Sequence, residues 1–155
     1  MIMLVPVTSA IEISEDNHLT SKAAIVIDFQ TGIVIYEYNA DEQRVPASMT
    51  KVAAAYVIFD AIRDGVVSFE TFIEVSESAS KFSYSNEYIN VPMPPDSSYS
   101  VRELLDAVIV RSACAATVVL GEGIFGSEDV LIGKMNDKAN ELGITAEFYD
   151  SWRFT

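Results

Sequence analysis

The hydrophobic pattern of the chain changes at Pro46, and this change limits the folds that the chain can adopt. Before Pro46, two runs of β-branched and aromatic residues, 23–28 and 33–38, flank the short stretch Phe29-Gln30-Thr31-Gly32. Such runs are typical of strands, and Gly32 can take the positive φ of a tight connection, so a β-hairpin is predicted. A lone hairpin is marginal in water, so we expect it to join further strands or to pack on another element.

After Pro46 the spacing of apolar residues becomes helical. Positions three and four apart are apolar from Val52 to Ile62, and Gly65 closes this first helix. Residues 66–99 are mixed, with a short extended piece at 72–75 and a proline-marked loop at 92–95. The first half of the body is therefore predicted to be one helix followed by irregular chain.

Three further patterns predict helices in the second half. Ser100-Val101-Arg102-Glu103 is a capping box that opens a helix. An apolar run at 115–120 follows and is expected to stop near Gly121 and Gly123, and Ser127 can cap a last helix that ends at Gly143. The predicted fold class is α+β: an antiparallel hairpin followed by a mostly helical body.

Composition excludes several function classes. The chain has 10 basic and 23 acidic residues in 155, a net charge of -13, whereas nucleic acid is bound by clustered Lys and Arg. The single cysteine, Cys114, rules out an internal disulfide and a cysteine-based zinc site. The single histidine, His18, lies in a polar stretch that is typical of a solvated loop. A Ser-His-Asp triad is therefore not expected. We therefore expect no metal, no cofactor and no nucleic-acid partner.

The first ten residues are apolar and end in Thr8-Ser9-Ala10. They resemble the tail of a secretory signal, although they lack its basic start, and residues 4–7 could equally form a first strand. We assign residues 1–22 to a leader remnant and first segment, and residues 23–155 to the main domain.

The pair Ser48 and Lys51 is the strongest candidate for chemistry. Three positions apart at a helix start, the two side chains share one face and can reach each other. A serine hydroxyl needs an adjacent base, and a lysine can be that base only where burial or a nearby cation favours its neutral form. The apolar residues 52–57 supply the burial, and the helix start favours negative charge that develops at Ser48.

A second pair, Ser78 and Lys81, repeats the spacing. Ser-x-x-Lys is expected about once by chance in a chain of this size, so the spacing alone is weak evidence. No apolar helical run follows Lys81. We interpret this second pair as a solvated turn and assign the nucleophile to Ser48.

The residues that flank Ser48 make the Ser-x-x-Lys motif more specific. The segment Val45-Pro46-Ala47-Ser48-Met49-Thr50-Lys51, after a hairpin and before an alanine-rich helix, resembles the active-site segment of the low-molecular-mass penicillin-binding proteins. These are the serine-type D-alanyl-D-alanine carboxypeptidases of the β-lactamase-like superfamily. The resemblance continues through residues 66–68, 75–79, 100–105, 126–128 and 135–143, and it covers about residues 22 to 148. It implies the amino-terminal portion of a β-lactamase/transpeptidase-like fold.

The second motif of that family, Ser-x-Asn, matches Ser112-Ala113-Cys114. The resemblance implies that Ser112 shuttles a proton between Lys51 and the leaving amine. Cys114 stands in the place of the substrate-binding Asn, and a thiol offers only a weak donor and acceptor. Cys114 is thus either a small buried hydrophobe or a reactive thiol.

The third motif, Lys-Thr-Gly or Lys-Ser-Gly on a strand, does not occur up to Thr155. The resemblance therefore implies a partial D,D-carboxypeptidase that is inactive as this 155-residue chain. Its implied partners are peptidoglycan stem peptides and β-lactams, and its implied location is outside the bacterial cytoplasm. The alternatives are a β-lactamase-like hydrolase and a non-catalytic binding or interaction module. Because few charges protect the hairpin edges, we also expect a symmetric homodimer with strands paired or exchanged across it.

Overall fold

A computed structural model describes residues 20–153 of the chain. The predictions for His18 and for a strand at residues 4–7 lie outside the described residues. The chain divides into two compact units, the first ending at Arg44 and the second beginning at Val45.

The first unit contains the predicted β-hairpin. Strands β1 (Ala24–Ile27) and β2 (Val34–Tyr38) pair antiparallel, with Ala24 opposite Tyr38 and an irregular register between Val26 and Ile27. In the connection, Gly32 has φ +71° and donates its N–H to the Asp28 carbonyl at 2.9 Å. Gly32 thus takes the positive φ that the sequence predicted for a tight connection. The predicted hairpin is confirmed.

The second unit contains five helices and two short strands among the described residues. They are α1 (Thr50–Arg63), β3 (Phe72–Glu74), α2 (Glu77–Ser83), β4 (Ser98–Ser100), α3 (Val101–Arg111), α4 (Cys114–Phe125) and α5 (Glu128–Glu141). The serines before α2, α3 and α5 each accept a backbone N–H bond, and the one before α3 completes the predicted capping box. Each such cap stabilises a helix by about 1 kcal/mol.

Helix α4 forms the centre of this unit. All of its residues from Cys114 to Gly121 are buried, and α1, α2, α3 and α5 pack around it. The residues with the largest fully buried side chains include Ile58, Leu104, Leu120 and Leu131. A central helix with no polar face fits the continuous apolar run of its sequence.

Two details around β3 and α2 differ from the sequence predictions. The pair Ser78 and Lys81 lies on helix α2 rather than in a solvated turn, although both residues are exposed as expected. Strand β4 pairs with β3 but was not predicted, because its sequence Ser-Tyr-Ser has no apolar run.

Helix α4 continues through Gly121 and Gly123 and ends at Gly126, which has φ +89°. The prediction that it stops at the first two glycines was wrong. A Cβ on Gly123 would lie 2.2 Å from Cγ2 of Ile73 in β3, so glycine serves close packing at that point. A sequence pattern cannot distinguish such a packing glycine from a helix-ending one.

Candidate active site

Ser48 lies in a short 3-10 turn, Ala47–Met49, that leads directly into α1. The Met49 N–H bonds to the Pro46 carbonyl at 3.0 Å, and Ala47 has φ +50°, a left-handed backbone that is uncommon for a residue other than glycine. Ser48 itself is exposed. Ser48 therefore lies at the start of a helix, as the sequence predicted, and it is exposed there.

Lys51 lies in the first turn of α1 and is only 5% exposed. Its Nζ donates a hydrogen bond to the main-chain carbonyl of Trp152 at 2.8 Å. A buried amine needs such an acceptor, because a buried polar group without a hydrogen-bond partner is costly. The expected burial of Lys51 is confirmed, and Trp152, which the sequence did not single out, provides the acceptor.

Ser112 ends α3 in a left-handed conformation, with φ 56° and ψ 32°. Its Oγ is buried and forms no hydrogen bond within residues 20–153. Strained backbone and unpaired buried hydroxyls both cost free energy, and they occur preferentially at functional sites. This geometry leaves the Ser112 hydroxyl available to a ligand or to a transferred proton.

Cys114 is the first residue of α4 and is 5% exposed. Its N–H bonds to the Ile89 carbonyl at 3.0 Å, which anchors the turn between α3 and α4. Burial raises the pKa of the Cys114 thiol, and the charge and hydrogen bonding of Lys51 offset that increase only in part. A thiol with a raised pKa is neutral at physiological pH, and this agrees with the interpretation of Cys114 as a small buried residue.

One cavity of about 550 Å³ connects three of the four predicted residues. Ser48, Lys51 and Ser112 line it together, although 64 positions separate the first and the last. Its remaining wall is mostly apolar and comes from the turn before α1, from α1 and from α3: Met49, Val52, Ala55, Tyr56, Phe59, Val108, Ile109. Cys114 does not line the cavity and lies beside Lys51. Ser78 and Lys81 do not line it either.

Further residues support this site without a signal in the sequence. Asn90 Oδ1 accepts the Ala115 N–H at 2.8 Å and Asn90 Nδ2 donates to the Phe82 carbonyl at 3.0 Å, so Asn90 holds the start of α4. The Trp152 ring packs at 5.2 Å from Phe82 and at 4.6 Å from Tyr88, centroid to centroid. These contacts join residues that are far apart in the chain, which explains why no motif predicted them.

The described chain carries no arrangement of three or more His, Cys, Asp or Glu side chains that could hold a metal ion. None of its helices combines the length and the apolar character that a membrane span requires. What the cavity offers chemically is an exposed hydroxyl, a buried amine and an unpaired second hydroxyl. That set is suited to serine acylation with a lysine base.

Comparison with known proteins finds one matching family profile and several similar proteins. The profile of the D-alanyl-D-alanine carboxypeptidase family matches residues 10–151. A D-alanyl-D-alanine carboxypeptidase of Bacillus subtilis, DacF, is 34% identical over 124 residues. A crystal structure of the D-alanyl-D-alanine carboxypeptidase DacD from Francisella tularensis superposes with a TM-score of 0.81 at 30% identity.

These alignments cover most of this chain but a much smaller share of each relative. The alignment with the Bacillus protein covers 80% of this chain and 31% of that protein. The Francisella structure is matched over 88% of this chain and 32% of its own. A structure of PBP3 from Streptococcus pneumoniae has a TM-score of 0.78 at 34% identity, with 84% and 36% covered. The chain thus spans about a third of the length of these relatives, and the predicted partial α+β fold is confirmed.

Proposed function

Since this chain belongs to the D-alanyl-D-alanine carboxypeptidase family, we propose that the full-length protein removes the terminal D-alanine from peptidoglycan stem peptides through an acyl-enzyme at Ser48. The observation that carries this proposal is the shared cavity: Ser48, Lys51 and Ser112 line one space, whereas Ser78 and Lys81 do not. Family membership is the basis for the proposed substrate class, and the shared cavity is the basis for the proposed catalytic residues.

Each of the three residues has a role that fits its surroundings. The Oγ of Ser48 attacks the carbonyl carbon of the penultimate D-alanine, and its proton passes to the Lys51 amine. The peptide C–N bond then breaks, and the departing D-alanine takes a proton by way of the Ser112 hydroxyl. Water finally hydrolyses the Ser48 ester and releases the shortened peptide. Backbone N–H groups at the start of α1 stabilise the developing oxyanion.

By its place in the motif Cys114 corresponds to the family's Asn, and we assign it that substrate-orienting position, although it does not line the cavity. It is buried against Lys51 and offers the substrate amide neither a strong acceptor nor two donors. This single departure favours the second candidate, a non-catalytic module that binds stem peptides or β-lactams without turnover. A β-lactamase-like hydrolase is a third candidate, distinguished by rapid deacylation.

A fluorescent penicillin distinguishes these candidates. The proposal predicts a covalent adduct on Ser48, lost in Ser48→Ala and retained in Ser78→Ala, the matched control on α2. Mass spectrometry of the labelled peptide locates the adduct. Release of D-alanine from a D-alanyl-D-alanine peptide supports the carboxypeptidase, acylation without release supports the binding module, and rapid penicillin turnover supports the hydrolase. An adduct on Ser78 would contradict the assignment.

The proposed substrate is part of the cell wall, so we propose that the protein acts outside the cytoplasm of a bacterium. Detection of the protein in the extracytoplasmic fraction of its host tests this location. A cytoplasmic location would contradict it.

We also propose that the hairpin mediates a symmetric homodimer. Within the described residues β1 and β2 form a two-stranded sheet, so each has one unpaired edge. Ile25, Ile27 and Ile35 are each about half exposed, and strand edges with few charges recruit other strands. Sedimentation velocity should show a dimer at micromolar concentration, and Ile25→Lys should shift it toward monomer. A wild-type monomer at that concentration would contradict the proposal.

A further inference from the structure

The Lys51 amine is held by a segment that has no helix or strand of its own. Residues 148–153, the tail segment, follow α5, and their Trp152 carbonyl accepts the Lys51 hydrogen bond at 2.8 Å. A carbonyl in irregular chain keeps its position only if the chain on both sides of it is fixed. The residues that fix the tail segment therefore influence where the Lys51 amine lies.

Asn136 on α5 fixes the start of the tail segment. Its Nδ2 donates to the Phe148 carbonyl at 2.9 Å, and its Oδ1 accepts the Phe148 N–H at 2.7 Å. Among side chains, only an amide offers a donor and an acceptor in this paired arrangement. Asn136 is half-buried, so neither bond is easily replaced by solvent.

Glu128 at the other end of α5 fixes the residue before Trp152. Its Oε1 accepts the Ser151 N–H at 3.2 Å and the Ser151 hydroxyl at 2.7 Å. Ser151 is fully buried, and the Trp152 ring beside it packs on Phe82 and Tyr88. Because α5 also packs on α1, the same helix supports both Lys51 and the carbonyl that holds it.

We propose that Asn136 and Glu128 are positioning residues for the Lys51 amine. They hold the tail segment so that the Trp152 carbonyl takes one Nζ hydrogen, which directs the rest of the amine toward Ser48 and Ser112. Neither residue lines the cavity, so both act through Trp152. The inference rests on the proposed function, in which Lys51 is the base that activates Ser48.

The first test separates positioning from binding in the reaction of the full-length protein with penicillin. In Asn136→Leu and Glu128→Ala the first-order acylation constant should fall about 10²-fold, because misplacing a reacting group costs that much. The dissociation constant of the reversible complex should not change. Asn140→Leu, an exposed position on the same helix, should behave as wild type. Glu128→Gln should recover most of the rate, since its amide oxygen can still accept from Ser151.

The second test does not depend on catalysis. Acetic anhydride should modify Lys51 slowly in the wild type and in Asn140→Leu, but faster in Asn136→Leu and Glu128→Ala, as measured by mass spectrometry of the Lys51 peptide. This result would support the positioning role even if penicillin failed to acylate Ser48, which would overturn the proposed function alone. Wild-type acylation rates in Glu128→Ala, or equal losses in Glu128→Gln and Glu128→Ala, would overturn the inference. The Glu128 pair decides if Asn136→Leu does not fold.

Discussion

The Cys114 thiol lies beside the Lys51 amine, inside the protein. The neutral thiol is a weak acceptor for an amine that also bonds to the Trp152 carbonyl. By the motif resemblance Cys114 stands in the place of the family's Asn, and a thiol offers an amine a weaker polar contact than an amide does. The consequences of this difference for reaction rate and for stability can be measured separately.

Cys114→Asn should raise the rate of Ser48 acylation by penicillin. Lys51 gains positive charge as it takes the Ser48 proton, and a hydrogen bond to a charged group contributes about 1.5–3 kcal/mol. A contact that strengthens in this way during the reaction corresponds to about a tenfold to hundredfold change in rate. Stopped-flow acylation of the full-length protein measures the change, with Cys114→Ala as the control that adds no acceptor. A rate in Cys114→Asn no higher than in Cys114→Ala would show that this position does not limit acylation.

The raised pKa of Cys114 should make stability depend on alkaline pH. The folded protein holds the thiol proton more tightly than the unfolded chain does. The protonated thiol therefore contributes fully to the free energy of unfolding below the ordinary thiol pKa of 9.0, and this contribution is lost as pH rises through the pKa of Cys114 in the folded protein. The difference in Tm between wild type and Cys114→Ala should therefore change between pH 8 and pH 10.5, to the disadvantage of the wild type. A constant difference across that range would contradict the prediction.

Ser112→Ala should separate stability from catalysis. The buried Oγ has no partner within the described chain, and an unsatisfied buried group costs about 1–3 kcal/mol, so its removal should leave the free energy of unfolding unchanged or raised. Acylation should fall about 10²–10⁴-fold if the hydroxyl transfers a proton. Urea unfolding and acylation rates test the two halves. A marked loss of stability would indicate a hydrogen bond that forms in solution.

Gly123→Ala should destabilise the protein by about 1–3 kcal/mol, because the new Cβ would overlap Ile73 in β3. Gly133→Ala is the matched control: it is also within a helix, and its Cβ would meet no atom within 4 Å. That substitution should stabilise the protein by about 0.4–1 kcal/mol. Urea denaturation of both variants measures the contrast, and equal effects would contradict the close packing of α4 on β3.

The candidate site could be predicted from sequence only where its residues follow one another. Ser48 and Lys51 are neighbours on one helix start, so their spacing and the apolar residues after them predicted the pair and the burial of its amine. The Trp152 carbonyl lies 101 positions from Lys51 and is a backbone atom. Every residue has a main-chain carbonyl, so the sequence cannot identify this acceptor. It lies next to Lys51 only because of how the tail segment packs.

The same division applies to the fold. The hairpin, the capping box at Ser100 and the helix ends at Gly65 and Gly143 depend on residues a few positions apart, and the sequence by itself determined them. The passage of α4 through Gly123 and the pairing of β3 with β4 were decided by tertiary structure. Both depend on contacts between segments more than 20 positions apart. Such contacts stabilise the structure only once the core has formed, so local sequence does not reveal them.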